Sequence, residues 1–387
     1  MRITGSEVGE FNVPLSDAPL VVTTGNRTKH FPSRKGAYLI LSAGELKGIG
    51  ELVEPVFSLS PDSSAVLSAG ITRLRVIAEA VVGQEIACSV DVNASITGVM
   101  LAVGSCNETH ADVLARFALE QALLRLFAKH EGIPLSLVLR QWIWPDALGP
   151  LTSVVRINLL FNCRNSNHQT TIPPSGCVKL KVGRSPTEDA DLVNKLVNDN
   201  PGQSKNSAWL RLDANQAWSV EEATVFAKQL SVNSLNAIEY IEEPIRDPCV
   251  VEIRELRVLE PKWNSIRIAL DESVLLPSAR TLLSDDSSLQ MVHKSFLHGT
   301  DLLRDFSDRT TLTCTFETGV GLSFLLCLAC ARDSVHPSQI AFHGIHALSA
   351  MVESDETTRR IDSFFQTDES GIRVEMNRVH AFEQTLL

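Results

Sequence analysis

No apolar run in this 387-residue chain approaches the ~18 residues needed to span a bilayer. The opening MRITGSEVGEF lacks the charged-then-apolar pattern of a secretory signal. Positive charge is not in excess either, and a net charge of −11 argues against nucleic acid or an anionic membrane as partner. A small anionic substrate stays open, because a local metal ion and lysines outweigh a distant field. Short repeats and low-complexity tracts are missing. So is the Cys/His set typical of zinc. The eight cysteines (Cys88, Cys106, Cys163, Cys177, Cys249, Cys314, Cys327 and Cys330) are scattered, mostly in apolar surroundings. Cys327 and Cys330 form a C-x-x-C inside LSFLLCLACA with no second ligand pair nearby, so they read as core residues of a buried helix. Scattered thiols fit a reducing compartment, the cytoplasm or, in a photosynthetic eukaryote, a plastid.

What is present has the size and balance of a globular protein with room for two domains: 44% hydrophobic and 21% charged residues. Residues 1–147 read as α+β. Ala37–Leu41 and GIGELVEP around Glu51 predict an antiparallel meander, followed by helices over 63–82 and 111–130. In the second helix Leu114, Phe117, Ala118 and Leu124 share an apolar face, with Gln121 its polar exception. Gly132 and Pro134 end it, and the breaker-rich QWIWPDALGP (141–150) reads as a linker.

From Ser153 onward strands alternate with helices. Strands are expected near 154–159, 177–182, 209–213, 237–242, 267–271, 289–294, 312–317 and 340–344. Helices are expected near 187–199, 220–230, 249–260, 278–284 and 321–332. Alternating βα units predict a parallel sheet, and eight strands favour closure into a barrel. Residues 161–176 carry two consecutive prolines and no helical periodicity, so the first crossover reads as a loop. The stretch GIRVEMNRVHAF (371–382) alternates like a strand and returns to the first domain.

Five charged residues stand at the ends of these strands: Lys181, Asp213, Glu242, Asp271 and Lys294, in steps of 32, 29, 29 and 23 residues. One strand, one helix and two connections take about 30 residues. The rhythm therefore places one charge at the carboxyl end of each successive strand, where a parallel barrel does its chemistry. Asp213, Glu242 and Asp271 supply three hard oxygen ligands, which suit Mg²⁺, with Mn²⁺ as a substitute. A substrate carboxylate bound to that ion would be stabilised as an enediolate when the adjacent carbon loses a proton. Lys181 is the candidate base. Lys179, two residues away on the same strand face, is its catalytic neighbour. Lys294 comes from the opposite side of the ring, as a second base or as a cation facing the enediolate. Asn215 lies just past Asp213 and is placed to orient a ligand or substrate. Glu243 reads as the solvated or salt-bridged partner of an inward Glu242. Each triplet alone is a weak signal, and K-x-K is common on exposed strands; the joint order and spacing carry the case.

At these residues the chain resembles the enolase superfamily, in its muconate-lactonising-enzyme-like branch, whose sites pair a lysine or histidine base with Mg²⁺. The resemblance implies a (β/α)7β-type TIM barrel over 148–364. It also implies an N-terminal α+β capping domain over 1–147, completed by 365–387. GIGE around Glu51 and RFALEQALL from Arg116 resemble the cap; K-L-K, D-A-N, E-E-P, D-E-S and the late Lys294 resemble barrel strands two to six. Within the branch, LRLDANQAW (210–218) and TCTFETGVGL (313–322) resemble the o-succinylbenzoate synthases of menaquinone and phylloquinone biosynthesis. That likeness puts Thr313, Cys314, Thr315 and Gly344 at the substrate carboxylate. It implies a syn dehydration of 2-succinyl-6-hydroxy-2,4-cyclohexadiene-1-carboxylate to 2-succinylbenzoate, a hydro-lyase reaction. The chain departs from the pattern at V-H-K-S around Lys294, at Cys314, and in FHGIHALS, where an aspartate is often found.

N-acylamino acid racemases, dipeptide epimerases and muconate-type cycloisomerases share these lysines and ligands and remain alternatives. Epimerases usually carry an aspartate pair on strand eight, which FHGIHALS lacks. A degenerate barrel acting as a non-catalytic binding module is the reading of another class. In every enzymatic reading the partner is a small carboxylate, and barrels of this kind often self-associate as homo-oligomers.

Overall fold

The computed structural model describes residues 1–15, 19–24, 27–56, 62–87, 91–104, 109–161, 176–200, 210–246, 250–339, 341–346, 349–352, 354–368 and 371–387. The chain begins with β1 (Gly5–Pro14), β2 (Leu20–Thr24), β3 (Arg27–Phe31), β4 (Ser33–Ala43) and β5 (Leu46–Val53). Strands β1, β4 and β5 form the expected antiparallel meander, and β2 and β3 pair as a separate hairpin. Along β4 the residues Ala37, Leu39, Leu41 and Ala43 are buried, two apart as one face of a strand requires. Four helices follow, α1 (Ser63–Val81), α2 (Val92–Ala102), α3 (His110–Glu131) and α4 (Leu135–Ile143); α1 and α3 pack on the sheet, and α2 and α4 pack on α3 and on each other. Helix α3 starts on a Thr109/Asp112 capping box and stops at Gly132, whose φ of 67° is the left-handed cap glycine favours. Gln121, the polar exception on its apolar face, is accounted for by pairing. Its Nε2 donates to the Glu51 carbonyl at 2.9 Å and its Oε1 accepts the Glu51 N–H at 3.3 Å. Helix α4 runs through Ile143, so the break falls at Trp144–Pro145, inside the stretch expected to be linker.

The barrel strands follow: β6 (Val154–Ile157), β7 (Leu159–Phe161), β8 (Val178–Lys181), β9 (Leu210–Asp213), β10 (Ile238–Glu242), β11 (Arg267–Leu270), β12 (Gln290–His293), β13 (Thr310–Leu312) and β14 (Phe342–His343). From β7 to β13 they pair in sequence order, all parallel. Bonds between β13 and β14 bring the ring round: Gly344 N–H donates to Leu312 at 2.7 Å and Cys314 N–H to Gly344 at 3.2 Å. Strand β14 then pairs with β6, and Asn158, between β6 and β7, donates its N–H to His343 at 2.9 Å. Strand one is thus a single rod that faces β14 with its first half and β8 with its second.

Outer helices sit where the pattern placed them: α5 (Pro186–Asn198), α6 (Val220–Gln229), α8 (Val250–Leu259) and α9 (Pro277–Asp285), with the short α7 (Val232–Ala237) before β10. Ser185 and Ser219 cap α5 and α6. Two short helices the periodicity did not predict, α10 (Ser295–His298) and α11 (Asp301–Phe306), separate β12 from β13. Helix α12 (Gly319–Val335) is buried on almost every side, and Cys327 and Cys330 lie in it as free, buried thiols. The loop expected at 161–176 falls almost wholly outside the described residues.

Three boundaries differ from expectation. Strand β13 ends at Leu312 instead of running to residue 317, because Glu317 folds back to accept the Thr315 N–H. Strand eight shortens to two residues. The alternating stretch at the end is a strand only over β16 (Gly371–Glu375), then turns into α15 (Met376–Thr385), since Val379 and Phe382 continue the apolar spacing at helical intervals. After α13 (Ser349–Val352) and α14 (Glu356–Asp362), β15 (Phe365–Asp368) pairs with β16, and β16 with β6. Helix α15 reaches back to α3: the buried Arg125 and Glu383 pair at 2.7 Å. Among the described residues no helix is long and apolar enough to cross a membrane.

Gly48 and Gly50 let α3 lie directly on β5. A Cβ on Gly50 would stand 1.8 Å from the Ala118 carbonyl oxygen, and one on Gly48 2.1 Å from that of Ala122. Gly50→Ala is expected to push helix from strand and cost about 1–3 kcal/mol or more. Urea denaturation reads that loss; a melt equal to the parent's would contradict this packing.

Candidate active site

Five strand ends carry the charges. Lys181 on β8 stands opposite Asp213 on β9, and Asp213 opposite Glu242 on β10, in consecutive parallel register. Asp271 follows the end of β11, and Lys294 follows β12. All three expected ligands are almost fully buried. Lys179 Nζ lies 2.8 and 2.9 Å from the two Glu242 oxygens and 2.9 Å from Asp213 Oδ2. Lys181 Nζ reaches the same Asp213 oxygen at 2.5 Å. On the far side Lys294 Nζ touches Asp271 Oδ2 at 2.5 Å and Glu272 Oε1 at 2.6 Å. The structure therefore brings every charge named from the sequence to one end of the barrel. It adds Glu272, which the D-E-S triplet contained without marking it as inward.

Burial disfavours each of these charges, and pairing reverses the effect. Burial alone would raise the Asp213 carboxyl, but the Lys179 and Lys181 ammoniums hold it well below its usual range. Burial likewise works against the Lys179 and Lys294 ammoniums. The carboxylates of Asp213 and Glu242 in one case, and of Asp271 and Glu272 in the other, outweigh it and raise both lysines. Asp271 is pushed well above its usual value by burial and then by Glu272, against the pull of Lys294. The two flanks differ in access: the Lys181 side chain is 46% exposed and that of Lys294 15%.

No three Asp, Glu, His or Cys side chains among the described residues close on a common point at ligand distance. The lysine ammoniums stand between the acids and act as stand-in cations. The donor set nevertheless fits a divalent ion. Three carboxylates end adjacent strands, and Asp271 Oδ1 is buried with no hydrogen-bond partner among the described residues, an acceptor left for a ligand. Oxygen-only donors suit magnesium or manganese better than zinc.

Glu243 requires a correction. It is 1% exposed and neither solvated nor salt-bridged. Its Oε1 accepts the N–H groups of Asp271 (2.7 Å) and Ser273 (2.9 Å), and its Oε2 the Ser273 hydroxyl at 2.7 Å. Burial, then the Glu272 charge, lifts its carboxyl to about 7. Asn215 has a left-handed φ of 49° and donates its N–H to Asp213 Oδ1 at 3.1 Å, so its backbone orients that carboxylate.

The residues placed at the substrate carboxylate sit where β13 and β14 meet. Thr313 Oγ1 donates to the Gly344 carbonyl at 3.0 Å, Cys314 Sγ lies 3.4 Å from the carbonyls of Gly344 and His346, and the Thr315 hydroxyl donates to Glu317. All three side-chain donors are engaged inside the fold. Gly344 permits the close approach: a Cβ there would stand 2.7 Å from Thr313 Oγ1.

Sequence reasoning missed the residues that tie the N-terminal layer to this loop. Arg34, fully buried, donates to the carbonyls of Glu54 (2.7 Å), Thr315 (3.1 Å) and Phe316 (3.2 Å). Glu51 caps α12 from β5: its oxygens accept the N–H groups of Thr318 (2.9 Å) and Gly321 (2.7 Å) and the Thr318 hydroxyl (2.8 Å). The G-I-G-E segment was the available signal for Glu51. Nothing in FPSRKG marked Arg34. Behind Lys294, the His298 ring accepts the Lys294 N–H at 3.2 Å and packs edge-on against His293, both imidazoles being buried.

With this geometry in hand, comparison places the chain among known proteins. Residues 175–293 match the Enolase C-terminal domain-like family. The chain is similar to L-Ala-D/L-Glu epimerase of Francisella tularensis subsp. novicida, 26% identical over 185 residues, 46% of this chain and 47% of that protein. It is also similar to o-succinylbenzoate synthase of Vibrio cholerae, 35% identical over 78 residues, 20% of this chain and 22% of that protein. It thus spans about half the length of the first of these relatives and less of the second. The structure of a dipeptide epimerase from Enterococcus faecalis V583, complexed with Mg and dipeptide L-Leu-L-Tyr, matches with a TM-score of 0.65 at 17% identity. That match covers 97% of each chain and shows the fold, a TIM-type barrel beneath an N-terminal cap.

Burial raises the Glu51 carboxyl from its ordinary 4.5 to about 7 despite its three donors. A raised acid binds its proton more tightly in the folded chain, so its contribution to stability is full below 4.5 and lost as pH rises to 7. Glu51→Gln is expected to flatten the stability profile in that window by up to about 1.4 kcal/mol per pH unit. Urea unfolding at several pH values measures it; parallel profiles for parent and variant would refute the assignment.

Proposed function

Proceeding from a barrel that carries an Enolase C-terminal domain-like segment, we propose that the chain is a Mg²⁺-dependent enzyme that removes the proton beside a substrate carboxylate. The substrate class is a small carboxylic acid, and the reaction proposed is that of an o-succinylbenzoate synthase. One observation carries the reading: amines from β8 and from the end of β12 bracket the carboxylates of the strands between them.

Asp213, Glu242 and Asp271 would hold the cation, with Mn²⁺ able to replace Mg²⁺. When bound, the ion polarises the substrate carboxylate and so acidifies the neighbouring C–H. Lys181, on the more open flank, takes that proton at Nζ from its neutral amine form and becomes an ammonium. The same ammonium then returns a proton to the departing hydroxyl, which makes the elimination syn. Lys179, held between Asp213 and Glu242, keeps positive charge beside the base. Lys294, fixed by Asp271 and Glu272, faces the opposite side of the substrate and offsets the charge that builds on its carboxylate. Aromatisation of the ring provides driving force, so the site mainly positions and neutralises.

Dipeptide epimerisation is the second reading, favoured by the longer of the two curated matches. Lysines on both faces suit it, since two-sided proton transfer needs a base on each. Against it, no carboxylate lies among described residues 341–346 of strand eight to hold a substrate amino group.

Two assays separate the readings. Turnover of the cyclohexadiene acid is followed by ultraviolet absorbance as the aromatic product forms, and L-Ala-L-Glu in D₂O is followed for deuterium at the α-carbon. The expected result is Mg²⁺-dependent aromatisation that Lys181→Ala abolishes with the fold intact. Exchange of the dipeptide proton alone would favour the epimerase, and inertness in both assays would remove these two activities. Asp213→Asn is expected to weaken Mg²⁺ binding and activity together, and an unchanged metal titration would count against the ligand assignment. Lys294→Ala should lower kcat far more than it changes KM; equal effects on both would argue for a merely positional role.

A further inference from the structure

We propose that Glu243 is the positioning residue of the metal site: its left-handed backbone and buried carboxylate lock the ends of β9, β10 and β11 together and so set the places of Asp213, Glu242 and Asp271. The inference rests on the reading that these three side chains hold a divalent cation.

Glu243 bonds to both neighbouring strand ends. Its own N–H donates to the Ala269 carbonyl of β11 at 2.9 Å, and its carbonyl accepts the Gln216 N–H, beyond β9, at 2.8 Å. One residue earlier, the Glu242 carbonyl accepts the Ala214 N–H at 3.1 Å. The side chain completes the stitch, with one oxygen on the N–H groups of Asp271 and Ser273 and the other on the Ser273 hydroxyl. Gln216 Nε2 donates to that same hydroxyl at 3.3 Å, so β9, β10 and β11 meet at one buried serine. The Asp271 amide belongs to the ligand residue itself, and holding it fixes where that carboxylate starts.

The backbone records what this arrangement costs. Among the described residues only five non-glycine positions have positive φ, and three are here: Asn215 (49°), Gln216 (60°) and Glu243 (44°). Such conformations persist when surrounding bonds over-determine them, and they gather at functional sites. Removing the carboxylate would leave two buried N–H groups without acceptors, and the Asp271 loop would shift to find them. Ligand placement tolerates little of that. Losing groups that orient metal ligands typically costs about 10–100-fold in affinity.

The test uses the full chain, with Mn²⁺ binding followed by electron paramagnetic resonance and Mg²⁺ by calorimetry. The parent is expected to bind one Mn²⁺ per chain. Glu243→Gln keeps an oxygen for the two N–H groups and presents its amide to a Ser273 hydroxyl free to turn, so affinity should stay within about 3-fold. Glu243→Ala should weaken binding roughly 10–100-fold and broaden the Mn²⁺ spectrum while circular dichroism shows a folded barrel. A folded Glu243→Ala that binds like the parent overturns the inference and leaves the metal site standing. A parent that binds no Mn²⁺ overturns the metal reading and this inference with it. Should Glu243→Ala fail to fold, Ser273→Ala decides: it takes from Glu243 one bond to a charged group and is expected to weaken Mn²⁺ about 10-fold, and affinity within about 3-fold of the parent there overturns the inference.

Discussion

The pairing of buried acids with the amines that flank them at one end of the barrel is the constraint on which this protein is arranged. Asp213, Glu242, Asp271 and Glu272 are each nearly inaccessible, and an isolated buried carboxylate would give up its charge. Lys179, Lys181 and Lys294 neutralise them from both sides of the ring. Such clustered charge adds little net stability, because the attraction within it is offset by the loss of hydration. For the reaction proposed its worth would be chemical, since polar groups held in a fixed geometry need no reorganisation when charge develops beside them.

The rest of the fold holds that geometry. Parallel register sets the acids side by side, and the buried Glu243 joins the strand ends. The N-terminal layer is bolted to the barrel by charge as well as by packing. Glu51 caps α12, Arg34 gathers carbonyls from the β13 loop, and Arg125 joins β5, α12 and α15 through bonds to Ile49, Val320 and Glu383. Since α12 follows directly on the β13–β14 junction, a shift of the cap would be felt where the substrate carboxylate was expected. Cap and barrel are thus joined at the loop that follows β13.

Legibility followed sequence distance. Lys181, Asp213, Glu242, Asp271 and Lys294 could be picked out because a βα unit repeats at about 30 residues and each charge interrupts an apolar strand. Helices α5, α6 and α8 were legible within a residue or two from their alternation with the strands. Glu243 was misjudged because strand alternation points it away from the site, and nothing local tells a solvated carboxylate from one capping the next strand's loop. Thr313, Cys314 and Thr315 were placed on a strand that in fact ends at Leu312, because Glu317 competes for the backbone N–H of Thr315.

The order of elements, the identity of the charged strand ends and the apolar faces were decided by the sequence alone, since each depends on neighbours within one βα unit. The tertiary structure decided which carboxylate an amine meets, why Gln121 sits on an apolar face, and how Arg34 reaches Thr315 across 281 residues. Such contacts exist only after the ring has closed and the cap has docked. Burial, which turns an ordinary acid into a group needing a partner, is a property of that assembled interior and of no single segment.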